Sequence, residues 1–405
     1  MQSIKLRHSK TKIWLILSGM VLVVCITVAV MWVVNTSAPT LIEQPQIVEK
    51  TPQPTTISSN VLFTGNIYWG RYINDWSMDS PLKYAYPFSR LNEFNRESYD
   101  AWVSGLECPL VAGLSLTSAD EEATLSFNCS PDYLPEAAKW FSIVTLANNH
   151  TDNQGADGFT ETKQNLEENG IQYFGNPDPT VINDVCEVIS LPVTVENDDS
   201  SITKGKLPVS MCGYHGVFRI PPTESVSEMG QYSPYMPVIA MPHMGSEYKT
   251  SSDELKTDFY RSLIDGGADM VLGDHPHWIQ NSESYNGHLI IYSMGNFIFD
   301  QQDTSEVVRS AAIRVVMKTG VEDPATLATW LALGESCTTY QDDCLGQIKS
   351  QKLAKLDIGY QFGIVGSNDG DKIAKPATEA QQSAILQRLN WQTTVQGLQV
   401  PYGSL

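Results

Sequence analysis

The chain has 405 residues and a formal net charge of −20, from 46 acidic side chains and 26 lysines and arginines. Four of the basic residues precede the first apolar stretch, and without their +4 the rest of the chain carries −24. So acidic a surface repels nucleic acid and other polyanions unless a local patch or a metal ion overrides it, which excludes nucleic-acid binding.

The N-terminal sequence predicts a membrane anchor. Residues 1–12 hold the four basic side chains, and the uncharged stretch 13–34 that follows is 22 residues long, enough for a helix to span a bilayer. Trp14 and Trp32 lie near its ends, where interfacial aromatics are expected. Positive charge before the span predicts a cytoplasmic N-terminus and an extracytoplasmic remainder. A cleaved signal peptide is the alternative, because small residues follow the span.

Residues 35–60 are rich in Pro, Thr and Ser, which predicts an extended tether. From there to residue 400, apolar strands alternate with amphipathic helices, which fits one large α/β domain or two smaller ones. We expect a single α/β domain over 61–400.

Six cysteines lie beyond the span, an even number that favours disulfides in an oxidising compartment. Two strand-like runs flank a polar loop, and folding them as a hairpin would place Cys186 opposite Cys212. Cys108–Cys129 and Cys337–Cys344 are predicted as local bridges. Metal ligation by cysteines is possible, but no Cys-x-x-Cys pair supports it.

The first two polar stretches interrupt apolar runs. Asn66 and Arg71 follow the strand-like run from Val61, either as part of a turn or as an oxygen ligand and an anion clamp. Glu107 lies inside an apolar run, where a carboxylate needs a cation, a hydrogen-bond donor or a metal.

The third stretch ends the apolar run 141–147 with Asn148, Asn149 and His150, and Asp152 follows. A helix is predicted over 158–169. Carboxyl ends of buried strands are where α/β sheets build ligand sites, so these side chains are candidate ligands.

The fourth stretch places His243 and Glu247 after a strand. The pattern Ser251-x-x-Glu254 predicts a capping box for the next helix, whose core face would carry an apolar residue every fourth position. That face comprises Leu255, Phe259 and Leu263.

The fifth stretch follows the next strand with Asp274, His275 and His277. An extended His-Pro-His segment would turn both imidazoles to one side, where they would suit a metal ion, although a polar loop is also possible. Asn296 lies in a later turn and is predicted to support the site.

In this order the motifs GNIYWGR, LECPL, ANNHTDNQG, PHMGSEY, GDHPH and SMGNFIFD resemble the CapA family over roughly residues 60 to 300. These are capsule-synthesis proteins linked to poly-γ-glutamate capsules, and they are similar to calcineurin-like metallophosphatases. The resemblance implies a four-layer α/β/β/α sandwich with a two-metal centre at the strand ends.

The resemblance also implies roles for single residues. Glu107 would bridge the metals, Asn149 would be the amide ligand and His150 the general acid. The remaining histidine ligands would be His243, His275 and His277. Oxygen and imidazole ligands suit Mn, Fe or Zn, as one ion or two. Such a centre polarises a phosphoryl or acyl group and activates water.

Three positions depart from the family pattern. Asn66 replaces an acid, which weakens one metal position and predicts about one bound ion rather than two. Asn153 replaces the acid that would orient His150, with Asp152 beside it. Gly105 replaces an asparagine. Asp274 would restore a negative charge if its side chain turned inward.

The leading hypothesis is a membrane-anchored hydrolase of capsule or cell-surface polymer synthesis. It would cleave a phosphoester or amide of an anionic polymer or its precursor, beside other membrane-bound capsule-synthesis subunits. A non-catalytic assembly or export subunit is the second hypothesis, favoured by Asn66. A generic extracellular nucleotidase-like phosphatase fits the ligands but not the LECPL and GNF segments.

Overall fold

A computed structural model describes residues 51–114, 116–338 and 343–405 of the chain. The predicted cytoplasmic tail 1–12 and span 13–34 lie outside these ranges, as does most of the predicted tether. Within the ranges that the structure covers, no helix is both long enough and apolar enough to cross a membrane.

Fifteen strands lie in the described residues. They are β1 Pro54–Ile67, β2 Ala101–Leu106, β3 Ile143–Thr145, β4 Gln172–Phe174, β5 Cys186–Asn197, β6 Ile202–Gly216, β7 Val238–Met244, β8 Met270–Leu272, β9 Ser282–Tyr285, β10 His288–Ile291, β11 Asn296–Ile298, β12 Arg309–Thr319, β13 Ile358–Asn368, β14 Lys375–Pro376 and β15 Tyr402–Ser404.

The helices in the same ranges are mostly short. They are α1 Arg71–Asp79, α2 Ser118–Thr124, α3 Leu134–Ala137, α4 Gly155–Glu168, α5 Thr223–Met229, α6 Glu254–Asp265, α7 Pro324–Cys337, α8 Cys344–Gln351, α9 Glu379–Leu389 and α10 Trp391–Gly397. Single 3₁₀ turns occupy Lys83–Phe88, Leu91–Phe94, Arg96–Ser98 and Pro131–Tyr133.

Strand β1 joins two groups of strands. Its first half pairs with β5, in the order β14-β13-β12-β1-β5-β6-β7-β8-β10-β9, and its second half pairs in parallel with β2, which continues to β3 and β4. Strands β6, β7, β8 and β10 are also mutually parallel. The chain is therefore a mixed α/β protein with two parallel groups of strands.

The apolar residues of these strands alternate between core clusters. In β1, Val61 and Phe63 belong to the largest cluster, whereas Leu62 belongs to a second one that includes Trp102 and Phe141. In β7, Ile239 joins the largest cluster and Ala240 a third, which packs under α6. Each parallel group is thus apolar on both faces, as expected for strands buried on two sides.

Several predicted boundaries shift. β1 begins at Pro54, inside the segment predicted as tether, because Thr56 to Ser58 pair with β5. The helix predicted over 158–169 begins at Gly155. The capping box predicted at Ser251 is wrong, since Asp253 caps α6 by accepting a hydrogen bond from the Lys256 backbone nitrogen.

The predicted core face of α6 is correct at Phe259 and Leu263 and wrong at Leu255, which is 65% exposed. Lys256 is buried instead. Its ammonium donates a hydrogen bond to Gln280 Oε1 at 3.0 Å and lies 5.2 Å from the Tyr260 ring centre. These contacts give a buried cation the polar partner that it requires.

The three predicted disulfides are all present. Cys186 and Cys212 are directly opposite in the β5–β6 hairpin, with Cα atoms 4.0 Å apart. Cys108–Cys129 has a Cα separation of 5.8 Å, and Cys337–Cys344 one of 5.2 Å.

Candidate metal centre

The carboxyl ends of both parallel groups carry the polar residues that the sequence singles out. Asn66 lies near the end of β1, Glu107 directly after β2, and Asn149 after β3. From the other group, His243 is the second-last residue of β7, and the segment from Asp274 to His277 follows β8. Parallel strands place their carboxyl ends at one edge, which gathers these side chains.

Three of the predicted ligands form one tight group. Asn149 Oδ1 lies 2.8 Å from His243 Nε2, and His275 Nδ1 lies 3.2 Å from the same nitrogen. Donors bound at about 2.0–2.2 Å to a shared ion lie about 3 Å from one another, so these separations fit a common ion. The two imidazoles and the amide oxygen therefore converge with the spacing that a divalent metal needs.

His277 faces a second group. Its Nδ1 lies 2.9 Å from Asn296 Oδ1, and the Asn296 amide nitrogen donates to Gln301, so Nδ1 carries the proton. The lone pair of Nε2 then points away from Asn296, with Glu107 Oε1 3.8 Å and Glu247 Oε1 4.0 Å distant. A hydrogen bond that fixes the tautomer from behind is characteristic of histidine ligands. Glu247 is 45% exposed and lies at the rim.

Three buried side chains at this edge have no hydrogen-bond partner for either polar atom: Asn66, Glu107 and Asp274. Leaving one such group unpaired costs about 1–3 kcal/mol, more when it is charged. Among the described residues, no three His, Cys, Asp or Glu side chains form a ready metal-binding cluster. The amide oxygens complete the donor set, and the unpaired carboxyls are atoms that a cation would satisfy.

The loop that carries the paired histidines is not extended as predicted. His275 has φ of 93° and His277 has φ of 60°, a region that residues other than glycine rarely occupy. The Asp274 nitrogen donates to Pro242 O at 2.9 Å, and the Asp274 carbonyl accepts from the Met244 nitrogen at 3.3 Å. The loop is thus fixed to β7, and strain held in this way is typical of functional sites.

Arg71 is placed at the site but is already paired. Its Nε and Nη2 donate to the two carboxylate oxygens of Asp300 at 2.8 and 2.7 Å, and its guanidinium lies 4.6 Å from the Phe127 ring centre. Asp300 and the aromatic ring therefore take much of the binding capacity that the sequence assigns to an anion clamp.

His150 keeps an orienting partner although Asn153 stands where the family pattern has an acid. Its Nδ1 donates to Asn153 Oδ1 at 3.0 Å, an oxygen that also accepts from the Phe127 nitrogen. The Phe127 ring centre is 4.1 Å from that of His150. Asn148 accepts backbone hydrogen bonds from His150 and Thr151, so it builds the turn, whereas Asp152 is exposed.

Burial dominates the ionisation of the site. It raises the pKa of Glu107 and of Asp274 well above the usual range, and Asp274 raises that of Glu107 further. It lowers the pKa values of His243 and His275 well below the usual range and that of His150 to about 4. Neutral imidazoles are the form that binds metals.

The sequence did not identify His215, which also lies at this edge. It pairs with His243 in the β6–β7 register, so the two side chains share a face. Its Nδ1 donates to Pro177 O, and its Nε2 is buried without a partner. A lone histidine at a strand end carries no motif, and only the parallel β6–β7 register indicates where it lies.

A family model for the bacterial capsule synthesis protein PGA_cap matches residues 60–180 and 224–301, the segments that hold all six predicted ligands. The PGA biosynthesis protein CapA of Bacillus subtilis (strain 168) is 28% identical over 269 residues, which are 62% of this chain and 67% of that protein. The chain belongs to the CapA family.

A second CapA relative agrees. The capsule biosynthesis protein CapA of Bacillus anthracis is 25% identical over 300 residues, 69% of this chain and 67% of that protein. The family model leaves out residues 181–223, which contain the Cys186–Cys212 hairpin and His215. These features belong to this chain rather than to the matched pattern.

Proposed function

We propose that this CapA-family chain is a divalent-metal-dependent hydrolase of capsule polymer synthesis, which cleaves a phosphoester or amide of an anionic polymer or its precursor. The observation that supports this most is that Asn149 Oδ1 and His275 Nδ1 converge on His243 Nε2 at 2.8 and 3.2 Å. The names of the relatives, a PGA biosynthesis protein and a capsule biosynthesis protein, supply the polymer context.

These side chains would offer two metal positions. Asn149, His243 and His275 would hold one ion, and Asn66 with His277 would hold another, with Glu107 between them. Mn, Fe or Zn suits such oxygen and imidazole donors. A bound ion would polarise the scissile group and supply an activated water. Either one of these positions or both would be filled.

His150 would handle a proton at Nε2, because Nδ1 is committed to Asn153. With a pKa of about 4 its ring is neutral at neutral pH, so Nε2 accepts before it donates. Arg71 would act on substrate charge through Nη1 and the second N–H of Nη2, since Nε and the first N–H of Nη2 hold Asp300.

The proposed domain has a four-layer architecture and lies outside the cytoplasm. The three core clusters, one central and two under helices, favour a four-layer α/β/β/α arrangement. The disulfides favour an oxidising compartment, in keeping with an extracytoplasmic domain anchored by residues 13–34. Other capsule-synthesis subunits in the same membrane would then be its neighbours.

The test measures bound metal and hydrolysis of bis(p-nitrophenyl) phosphate by the full-length chain in detergent with added Mn²⁺. We expect Mn²⁺-dependent turnover that falls on the order of 100-fold or more in His243→Ala, because a metal ligand is lost. His288→Ala is the control, since His288 hydrogen-bonds Asp269 O at the opposite end of β8. Equal rates in both variants would refute the hydrolase.

A non-catalytic, metal-binding assembly or export subunit is the second candidate. The neutral amide of Asn66, where a second ion would need negative charge, is the observation that favours it. Tight metal binding by the wild-type chain without turnover of phosphodiester or of γ-glutamyl amide substrates would select this role.

A further inference from the structure

The carboxyl group of Asp274 is buried and has no part in the two metal positions proposed above. It is 4% exposed, and neither of its oxygens has a hydrogen bond of ordinary geometry, although the neighbouring His275 backbone N–H lies close enough to lower the pKa of the acid. Lys256, the buried cation whose charge acts on it, donates to Gln280 instead. Its backbone is bonded to β7 on both sides, so the side chain is directed rather than free.

Gly105 shows where this carboxyl points. A Cβ built on Gly105 would meet Asp274 Oδ2 at 3.3 Å and Asn66 Oδ1 at 3.4 Å. Because Gly105 has no side chain, it leaves a space beside it. The Asp274 carboxyl, from the loop after β8, and the Asn66 amide, from β1, both reach into this space. The charge of Asp274 also raises the pKa of Glu107, which lies two residues after Gly105.

We infer that Asp274 supplies the negative charge of the metal position to which Asn66 contributes only an amide oxygen. The acid reaches this position from the β8 loop rather than from β1, across the space left by Gly105. The inference rests on the proposed metal-dependent function and names a ligand for its second position. It replaces the expectation that this position is weak because Asn66 is neutral.

The test exchanges the two side chains. Mn²⁺ binding to the full-length chain in detergent is measured by equilibrium dialysis with metal analysis, for wild type, Asp274→Asn, Asn66→Asp and the double variant Asn66→Asp/Asp274→Asn. We expect Asp274→Asn to lose one bound Mn²⁺ or to weaken it on the order of 100-fold. The double variant, with the same number of acids, should regain most of that affinity.

Two controls separate this role from a structural one. Asp269→Asn changes another buried acid, which accepts from Val238 and Tyr402 before β8, and should leave Mn²⁺ binding unchanged while lowering stability. In a chelator, Asp274→Asn should unfold at the same or a higher urea concentration than wild type, because it removes an unpaired buried acid.

The possible failures are distinguishable. Wild-type Mn²⁺ binding that survives Asp274→Asn overturns this inference alone, and so does a loss that the double variant does not restore. A wild-type chain that holds no Mn²⁺ overturns the proposed function together with it.

Discussion

Three buried side chains at the strand ends lower the stability of the fold, because their polar atoms lack hydrogen bonds. Asn66, Glu107 and Asp274 are buried with unpaired polar atoms, and each costs about 1–3 kcal/mol in an apolar setting. A protein keeps such groups where a ligand satisfies them. Gly105 permits this arrangement, because a side chain there would occupy the space between the first and the third.

Gly105→Ala tests that space. The added methyl would press on Asp274 and Asn66, so we expect Mn²⁺ affinity to fall on the order of 10-fold and unfolding free energy by about 1 kcal/mol. Dialysis and urea unfolding measure the two effects. Gly403→Ala is the matched control, because a Cβ there meets nothing within 4 Å. Identical behaviour of the two variants would contradict the close approach.

Lys256 predicts a pH dependence of stability. Burial lowers its pKa to about 7, whereas a lysine in the unfolded chain titrates near 10.4. The unfolded state thus binds more protons between these values, so unfolding free energy rises with pH over that range and changes little below pH 7. The slope from this group is at most about 1.4 kcal/mol per pH unit.

Lys256→Met should flatten that slope. Urea unfolding at pH 7, 8 and 9 compares it with wild type and with Lys249→Met, which changes an exposed lysine in the loop before α6. Wild type and Lys249→Met should gain stability in parallel as pH rises, and Lys256→Met less. If unfolding free energy rose in parallel with pH for all three proteins, Lys256 would not be desolvated, contrary to its burial in the structure.

At the scale of elements, two disulfides hold segments of different importance to the site. Cys108–Cys129 joins the end of β2, beside Glu107, to the segment that carries Phe127 over His150 and Arg71. Cys186–Cys212 joins β5 to β6 within a hairpin that strand pairing already holds. The bridges span similar lengths of chain, 21 and 26 residues.

Removing each bridge by paired Cys→Ser substitutions should therefore cost a similar stability, about 2–4 kcal/mol in chemical denaturation. Only the loss of Cys108–Cys129 should also weaken Mn²⁺ binding. It releases Cys108, the neighbour of Glu107, and the segment that holds Phe127 over His150 and Arg71. Equal Mn²⁺ affinity in the two double variants would show that the wall does not position the ligands.

At the scale of the whole molecule, the sequence predicts which side chains lie at the strand ends better than it predicts their arrangement. Six ordered motifs and the Cys186–Cys212 hairpin are visible because each rests on local chemistry. The start of β1 at Pro54 and the burial of Lys256 are not visible, since distant partners decide them. His215 and the inward turn of Asp274 depend on strand register and on the space at Gly105, which no local pattern encodes.

Metal removal tests the assembly of the two parallel groups of strands. A ligand that binds only the folded state adds about 2.7 kcal/mol at 100 times its Kd, which for a domain of this size raises Tm by roughly 3–5 °C. We expect EDTA to lower the Tm of the wild-type chain by that amount and Mn²⁺ to restore it. Because His275 contributes a donor from the β8 loop, His275→Ala should unfold near the EDTA temperature with or without Mn²⁺. His288→Ala should respond as wild type does. A Tm indifferent to both EDTA and Mn²⁺ would mean that the strand ends are held together without an ion, and an undiminished response in His275→Ala would place the ion elsewhere.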